Sequence, residues 1–355
     1  MKAYLHIGYA KTGTTTIQNF LSMNRKKLKK QHVVYPCSPG HRNHMKLFLY
    51  SKFPDDMCAL DVAYHLHVHD EDGLARFKEQ FYNDLMAEVK KCSDDDTLLL
   101  SNEHCSTIHR KEEIQNLKNL VSGISDECKI VVYLRKQEDL IASTYVEGVK
   151  SGNRVDPFEM PNYITNTGTE GRKRLQFDIL LEKWADVFGE DNIIPRIYSK
   201  SEFHGGDLIN DFMHVTGIKG SKLDRPALLN RSLDSHTLET MRRLNPFFPK
   251  IVNRSIDRDR VLFRKLFENV DVPRGKFRLK DEEKKMIYEH FYESNMRVVR
   301  KWFPHKDVLF PYEENSSQHC EDSEFNLDSA HRVFASLLKT QFKYIKLLED
   351  NLDEK

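Results

Sequence analysis

The sequence predicts an α/β fold: a central parallel sheet of about five strands covered by helices, continued by a helical C-terminal extension. Two observations carry this. Short apolar runs alternate with segments of helical period through residues 1–220, and beyond Gly217 the helical pattern continues alone. The chain has 355 residues, 39% hydrophobic and 31% charged. That is enough to bury a core, and long enough for two domains or one enlarged α/β domain.

The first strand is read at residues 3–7, with the amphipathic segment 13–30 as the helix after it. Residues 33–35 form a weaker strand stopped by Pro36, and residues 74–92 form the next helix. Strands at 97–100, 130–134 and 193–198 are separated by helices at 138–150 and 175–188. The runs at 97–100 and 130–134 are apolar almost throughout rather than alternating, as strands buried on both faces of a parallel sheet are. Past Gly217 the helices fall at 235–244, 280–303 and 329–350, punctuated by Pro246, Pro249 and Pro273. The expected organisation is an α/β core over 1–220 and a helical extension over 221–355 packed on it as one structural domain.

Composition excludes several classes. Lys+Arg number 55 against 54 Asp+Glu, a formal charge of +1, so no broad electrostatic attraction to nucleic acid or anionic membrane is expected. No run approaches the roughly 18–20 apolar residues of a membrane span. The N-terminus enters a strand pattern directly, without the regions of a signal peptide. Six cysteines without a CxxC pair fit reduced thiols. The expectation is a soluble cytoplasmic protein of open oligomeric state.

The chemistry begins at Gly8-Tyr9-Ala10-Lys11-Thr12-Gly13-Thr14-Thr15-Thr16, between the first strand and its helix. Two glycines five apart let the backbone curl so that successive N–H groups and a helix N-terminus converge on one anion, while threonine hydroxyls add donors. A Walker loop has lysine after the second glycine; here Thr14 stands there and the lysine is Lys11, two residues before that glycine. The context makes the expected fold a P-loop-type three-layer sandwich. The fourth strand delivers Arg135 to its carboxyl end, and Ser143 follows eight residues later on a helix. Ligands of open α/β sheets sit at such strand ends, and a guanidinium fork with a hydroxyl makes a second phosphate site.

In these two motifs the chain resembles sulfotransferases that use 3′-phosphoadenosine 5′-phosphosulfate (PAPS), whose phosphosulfate loop runs Tyr-Pro-Lys-[Ser/Thr]-Gly-Thr-Thr-Trp. Tyr9–Thr16 matches it, with Ala10 for the proline and Thr16 for the tryptophan. Arg135 and Ser143 match the family's 3′-phosphate pair. The resemblance extends through Trp184-Ala185-Asp186-Val187-Phe188-Gly189, Asn230-Arg231-Ser232-Leu233 and Glu293-Ser294-Asn295, over about residues 3–305. It is closer to soluble bacterial-type and carbohydrate enzymes than to the phenol and steroid branch, whose Arg-Lys-Gly loop is missing.

The resemblance implies that Lys11, Thr12, Gly13, Thr14, Thr15, Thr16, Arg135 and Ser143 bind PAPS and its product adenosine 3′,5′-bisphosphate. Lys11 would also stabilise the leaving phosphate. The acceptor would be a hydroxyl-bearing small molecule or glycan, with no metal required. The base is expected at the end of the third strand, in Glu103 or His104. His41 and His44, in the loop after the second strand, are candidates for the acceptor cleft. His65, His67 and His69 alternate as metal ligands can, yet read as a polar connecting segment. The alternatives are a P-loop kinase, which the misplaced lysine disfavours, and a non-catalytic nucleotide-binding protein.

Overall fold

A computed structural model describes residues 1–55, 63, 66, 68, 70–152, 175–220, 222–226, 233–249, 251–252, 255–270, 277–313 and 325–353. His65, His67 and His69 lie outside these residues. The chain divides into two compact units. The first comprises Met1–Lys136, Thr167–Leu228 and Phe291–Phe310, the second Gln137–Asn166, Leu229–His290 and Pro311–Lys355.

The first unit is built on five parallel strands in the order β2-β3-β1-β4-β5: β1 (Lys2–His6), β2 (Val33–Val34), β3 (Thr97–Ser101), β4 (Glu127–Leu134) and β5 (Ile193–Ile197). The central β1 pairs with β3, His6 beside Ser101, and with β4, His6 beside Val131. Residues 98–100 and 130–134 are all buried, as their apolar runs require. Crossovers are supplied by α1 (Thr14–Met23), α2 (Arg25–Lys29), α3 (Met45–Ser51), α4 (Glu71–Val89) and α5 (Lys111–Ser122). The connection from β4 to β5 carries α6 (Gln137–Lys150) and α7 (Phe177–Phe188), and α8 (Leu208–Thr216) follows β5. One face of the sheet is covered by Ile17, Phe20 and Leu21 of α1 with Leu208, Ile209 and Phe212 of α8, packed on Leu99, Val131 and Tyr133. Helix α7 packs on α5, β4 and β5, burying Phe177, Leu181 and Trp184.

The single helix expected at 13–30 is two. The buried Asn24 sits between them, its amide donating to the carbonyls of Phe20 and Asp224 and accepting from the Asp224 N–H, each at 2.9 Å. A side chain that bonds the preceding turn competes with helix continuation.

Behind β4 and β5 lies a buried charge cluster. The register sets Tyr133 beside Arg196, and both reach Asp211 of α8, the tyrosine hydroxyl at 2.9 Å and the guanidinium through two bonds of 3.1 and 2.5 Å. The His204 N–H donates to the same carboxylate at 2.8 Å. Burial opposes ionisation of Asp211, but these donors outweigh it and hold its carboxyl below the usual range. Asp211→Ala leaves Arg196 and Tyr133 without their acceptor and should cost about 3–5 kcal/mol, read as a lower urea midpoint. Because the folded-state pKa is depressed, the stability from Asp211 is present above the unfolded carboxylate pKa and lost as pH falls through the folded one.

The second unit contains α6, α9 (Ser235–Leu244), α10 (Arg258–Glu268), the first part of α11 (Asp281–Trp302), and α12 (Leu327–Asp353). It is not wholly helical: β6 (Ile251–Val252) and β7 (Ser255–Ile256) pair antiparallel. Buried Arg260 binds the Asn245 side chain at 2.6 Å and the carbonyls of Val149 and Lys150 at the end of α6, where a cation complements the helix dipole.

Candidate active site

The loop from β1 to α1 owes its shape to three residues with positive φ: Gly8 at 58°, Lys11 at 66° and Gly13 at 74°. The two glycines also create room. A Cβ on Gly13 would lie 2.2 Å from the Leu208 side chain and 3.3 Å from the Tyr198 ring, and one on Gly8 would lie 2.7 Å from the Cα of Glu103. Leu208 can turn aside, whereas the backbone of Glu103 cannot. Gly8→Ala should therefore displace the β3 end and lower the melting temperature, with a cost of about 1–3 kcal/mol.

Within the loop, the Thr12 hydroxyl and N–H both bond the Tyr9 carbonyl, at 2.7 and 3.2 Å. Thr12 is fully buried, so its side chain shapes the loop from within. No side chain caps α1. Its first N–H groups, which have no intrahelical acceptors, begin at the residues expected to grip an anion. Thr15 is exposed and Thr16 partly so.

Glu103 opens a 3-10 turn, Glu103–Thr107, at the carboxyl end of β3. Asn102 caps that turn by accepting from the Cys105 N–H at 3.1 Å, and the turn is tied to the neighbouring strand by Ser106 N–H to the Ile7 carbonyl at 3.2 Å. The Glu103 carboxylate accepts from the Thr14 hydroxyl at 2.6 Å. At the end of β4, Arg135 donates to the carbonyl of Lys11 at 2.8 Å, and its guanidinium carbon lies 5.5 Å from the centre of the Tyr198 ring. The left-handed residue of the loop is thereby held from outside. Loop, carboxylate and arginine come from β1, β3 and β4, adjacent strands ending on one edge of the sheet.

Residues 3–190 match the family model described as "Sulfotransferase domain", more than half of the 355 residues. The chain belongs to the sulfotransferase family. An uncharacterized protein of Archaeoglobus fulgidus is 27% identical over 259 residues, covering 70% of this chain. The chain spans 66% of that relative's length. A crystal structure of a sulfotransferase from Alicyclobacillus acidocaldarius aligns with 68% of this chain and 90% of its own, at 16% identity and a TM-score of 0.40.

The remaining expected residues are placed differently from one another. His104 lies with its ring 5.5 Å from that of Phe48. His41 is exposed, and its carbonyl accepts from Arg25. His44 leaves no ring nitrogen for an acceptor: it is fully buried, its Nε2–H donates to the Pro36 carbonyl at 3.0 Å and its Nδ1 accepts from the Ser101 N–H at 3.2 Å. Burial, with help from the Arg25 charge, lowers its pKa to about 3. His44 thus joins the loop after β2 to β3. Ser143 lies on α6 in the second unit, partly buried.

Three residues around the candidate site were not expected from sequence. Tyr198 packs beside both Gly13 and Arg135. Asn43 accepts from Asn102 at 2.8 Å and Gln18 donates to Ser101 Oγ at 3.3 Å, bonds to the two residues that precede Glu103. Each contact joins distant parts of the chain, so local spacing holds no signal for it. Among the described residues no group of three or more His, Cys, Asp or Glu gathers as a metal site, and no helix is long and apolar enough to cross a membrane.

Proposed function

We propose that this sulfotransferase moves the sulfuryl group of PAPS to a hydroxyl of a carbohydrate or other polar metabolite. One contact carries this reading: the Thr14–Glu103 hydrogen bond of 2.6 Å puts a carboxylate beside an uncapped helix start and its lysine-bearing loop. A base and an anion cradle are thereby neighbours. PAPS is the donor general to the family, and the positive φ at Gly8, Lys11 and Gly13 gives the curled backbone that a phosphate loop requires.

In this reading residues 1–220 form the PAPS-binding core. The N–H groups of the Lys11–Thr16 loop and the hydroxyls of Thr14 and Thr15 hold the 5′-phosphate, and Arg135 with Ser143 holds the 3′-phosphate. Glu103 takes the proton of the acceptor hydroxyl as its oxygen attacks sulfur in line. The bond from sulfur to the bridging oxygen breaks, and its electron pair leaves on the phosphate of adenosine 3′,5′-bisphosphate. Lys11 stabilises that charge. Positioning and electrostatics supply most of the acceleration in such loose transfers. His104 is the second candidate for the base.

A thermal-shift titration tests the donor site. Adenosine 3′,5′-bisphosphate at 100 times its Kd should stabilise the protein by about 2.7 kcal/mol. A response to ATP with magnesium and none to the bisphosphate would instead indicate a kinase. Arg135→Ala removes a charged phosphate ligand and should weaken bisphosphate binding by about 1.5–3 kcal/mol, roughly ten- to hundredfold. Unchanged affinity would remove Arg135 from the 3′-phosphate site.

A further inference from the structure

We propose that Glu103 and the donor's 5′-phosphate compete for the Thr14 hydroxyl, so that donor binding releases the carboxylate towards the acceptor and binding becomes ordered, donor first. This rests on the reading of the Lys11–Thr16 loop as the phosphate site. The first ground is hydrogen-bond capacity. A threonine hydroxyl has one proton to donate, and here it goes to Glu103 Oε2 at 2.6 Å. A phosphate oxygen that takes that proton displaces the carboxylate.

The second ground is charge. No side chain caps α1, and the positive end of a helix dipole favours an anion. Glu103 places its carboxylate at that end. Two anions cannot share the position without mutual repulsion, so the incoming phosphate and the resident carboxylate exclude one another.

The third ground decides what moves. The Glu103 backbone is fixed: Gly8 has no room for a Cβ against its Cα, Asn102 caps its turn, and Ser106 ties the turn to Ile7. Its side chain is only partly buried. Displacement therefore rotates the side chain and leaves the turn in place. Glu103 thus guards the loop when the donor is away and serves as base once it has arrived. Thr14 is the positioning residue that couples the two states.

Calorimetric titration of the full chain with adenosine 3′,5′-bisphosphate tests this. Glu103→Gln should bind it about tenfold more tightly than the unaltered protein, and Glu103→Ala should show a similar gain. In a Thr14→Val background the same Glu103→Gln change should still tighten binding but by less than in the native background, because the shared proton is gone and only the charge repulsion remains. Glu127→Gln, at the opposite end of β4, should change nothing. If the bisphosphate binds the unaltered protein and Glu103→Gln leaves affinity equal or weaker, the competition is overturned while the donor site stands. If the bisphosphate binds none of the proteins, the phosphate-loop reading falls, and the competition with it.

Discussion

Replacing Lys11 by alanine should lower kcat by roughly 10²–10³-fold while changing bisphosphate affinity by only a few-fold. The asymmetry follows from where the charge appears. An ammonium beside the bridging oxygen gains most when that oxygen takes up the electron pair of the breaking bond, and an interaction realised in the transition state lowers kcat when removed. The loop should survive the change. Its left-handed turn at Lys11 is held through the backbone carbonyl by Arg135, and alanine keeps that carbonyl. Single-turnover kinetics beside calorimetry would separate the two quantities. Equal losses in rate and affinity would make Lys11 a binding residue only.

The second large effect concerns Glu103. Removing a general base costs about 10²–10⁴-fold, so Glu103→Gln should nearly abolish turnover while the bisphosphate still binds, and binds more tightly. Few substitutions weaken catalysis and strengthen product binding together, which makes the pair of readouts diagnostic. A fully active Glu103→Gln would move the base to His104. The ring of His104 lies against Phe48, so that outcome would also place the acceptor on the α3 side of the turn.

Legibility followed the range of the interactions. The central strands β3 and β4 were readable because burial on both faces leaves apolar runs, and the phosphate loop because its glycines and lysine fall within six residues. Helix α5 was not recognised, although Ile114, Leu117, Leu120 and Val121 are buried at helical spacing. Its buried face also carries Glu113, which binds Lys52 at 2.9 Å; a carboxylate there masks the apolar stripe unless its distant cation is known. Helix α8 announces itself by the cap Asp207, which accepts from the Asn210 N–H at 3.0 Å, yet Asp211 inside it makes sense only beside Arg196 and Tyr133. Glu103 was placed at a strand end and stands two residues beyond it, opening the 3-10 turn. Tyr198 and Asn43 were invisible, since their importance comes from partners across the sheet.

The burial of two histidines sets an acid limit on the fold. His6 is sealed under Tyr133 and Phe212, its ring centre 6.0 and 5.6 Å from theirs, with Nδ1 bonded to Ser101 Oγ at 2.9 Å. Desolvation lowers its pKa to about 3, as burial does for His44. An unfolded histidine titrates near 6.5, so between these values the unfolded chain binds two more protons than the folded one. Stability then falls as pH drops through about 6.5, by about 4 kcal/mol for the pair between pH 7 and 5. That is a large share of the 5–15 kcal/mol typical of a folded domain. Urea midpoints at the two pH values would show it. Neither histidine changes charge near neutrality in the folded state, so a limb near pH 6–7 in the rate profile would belong to another group.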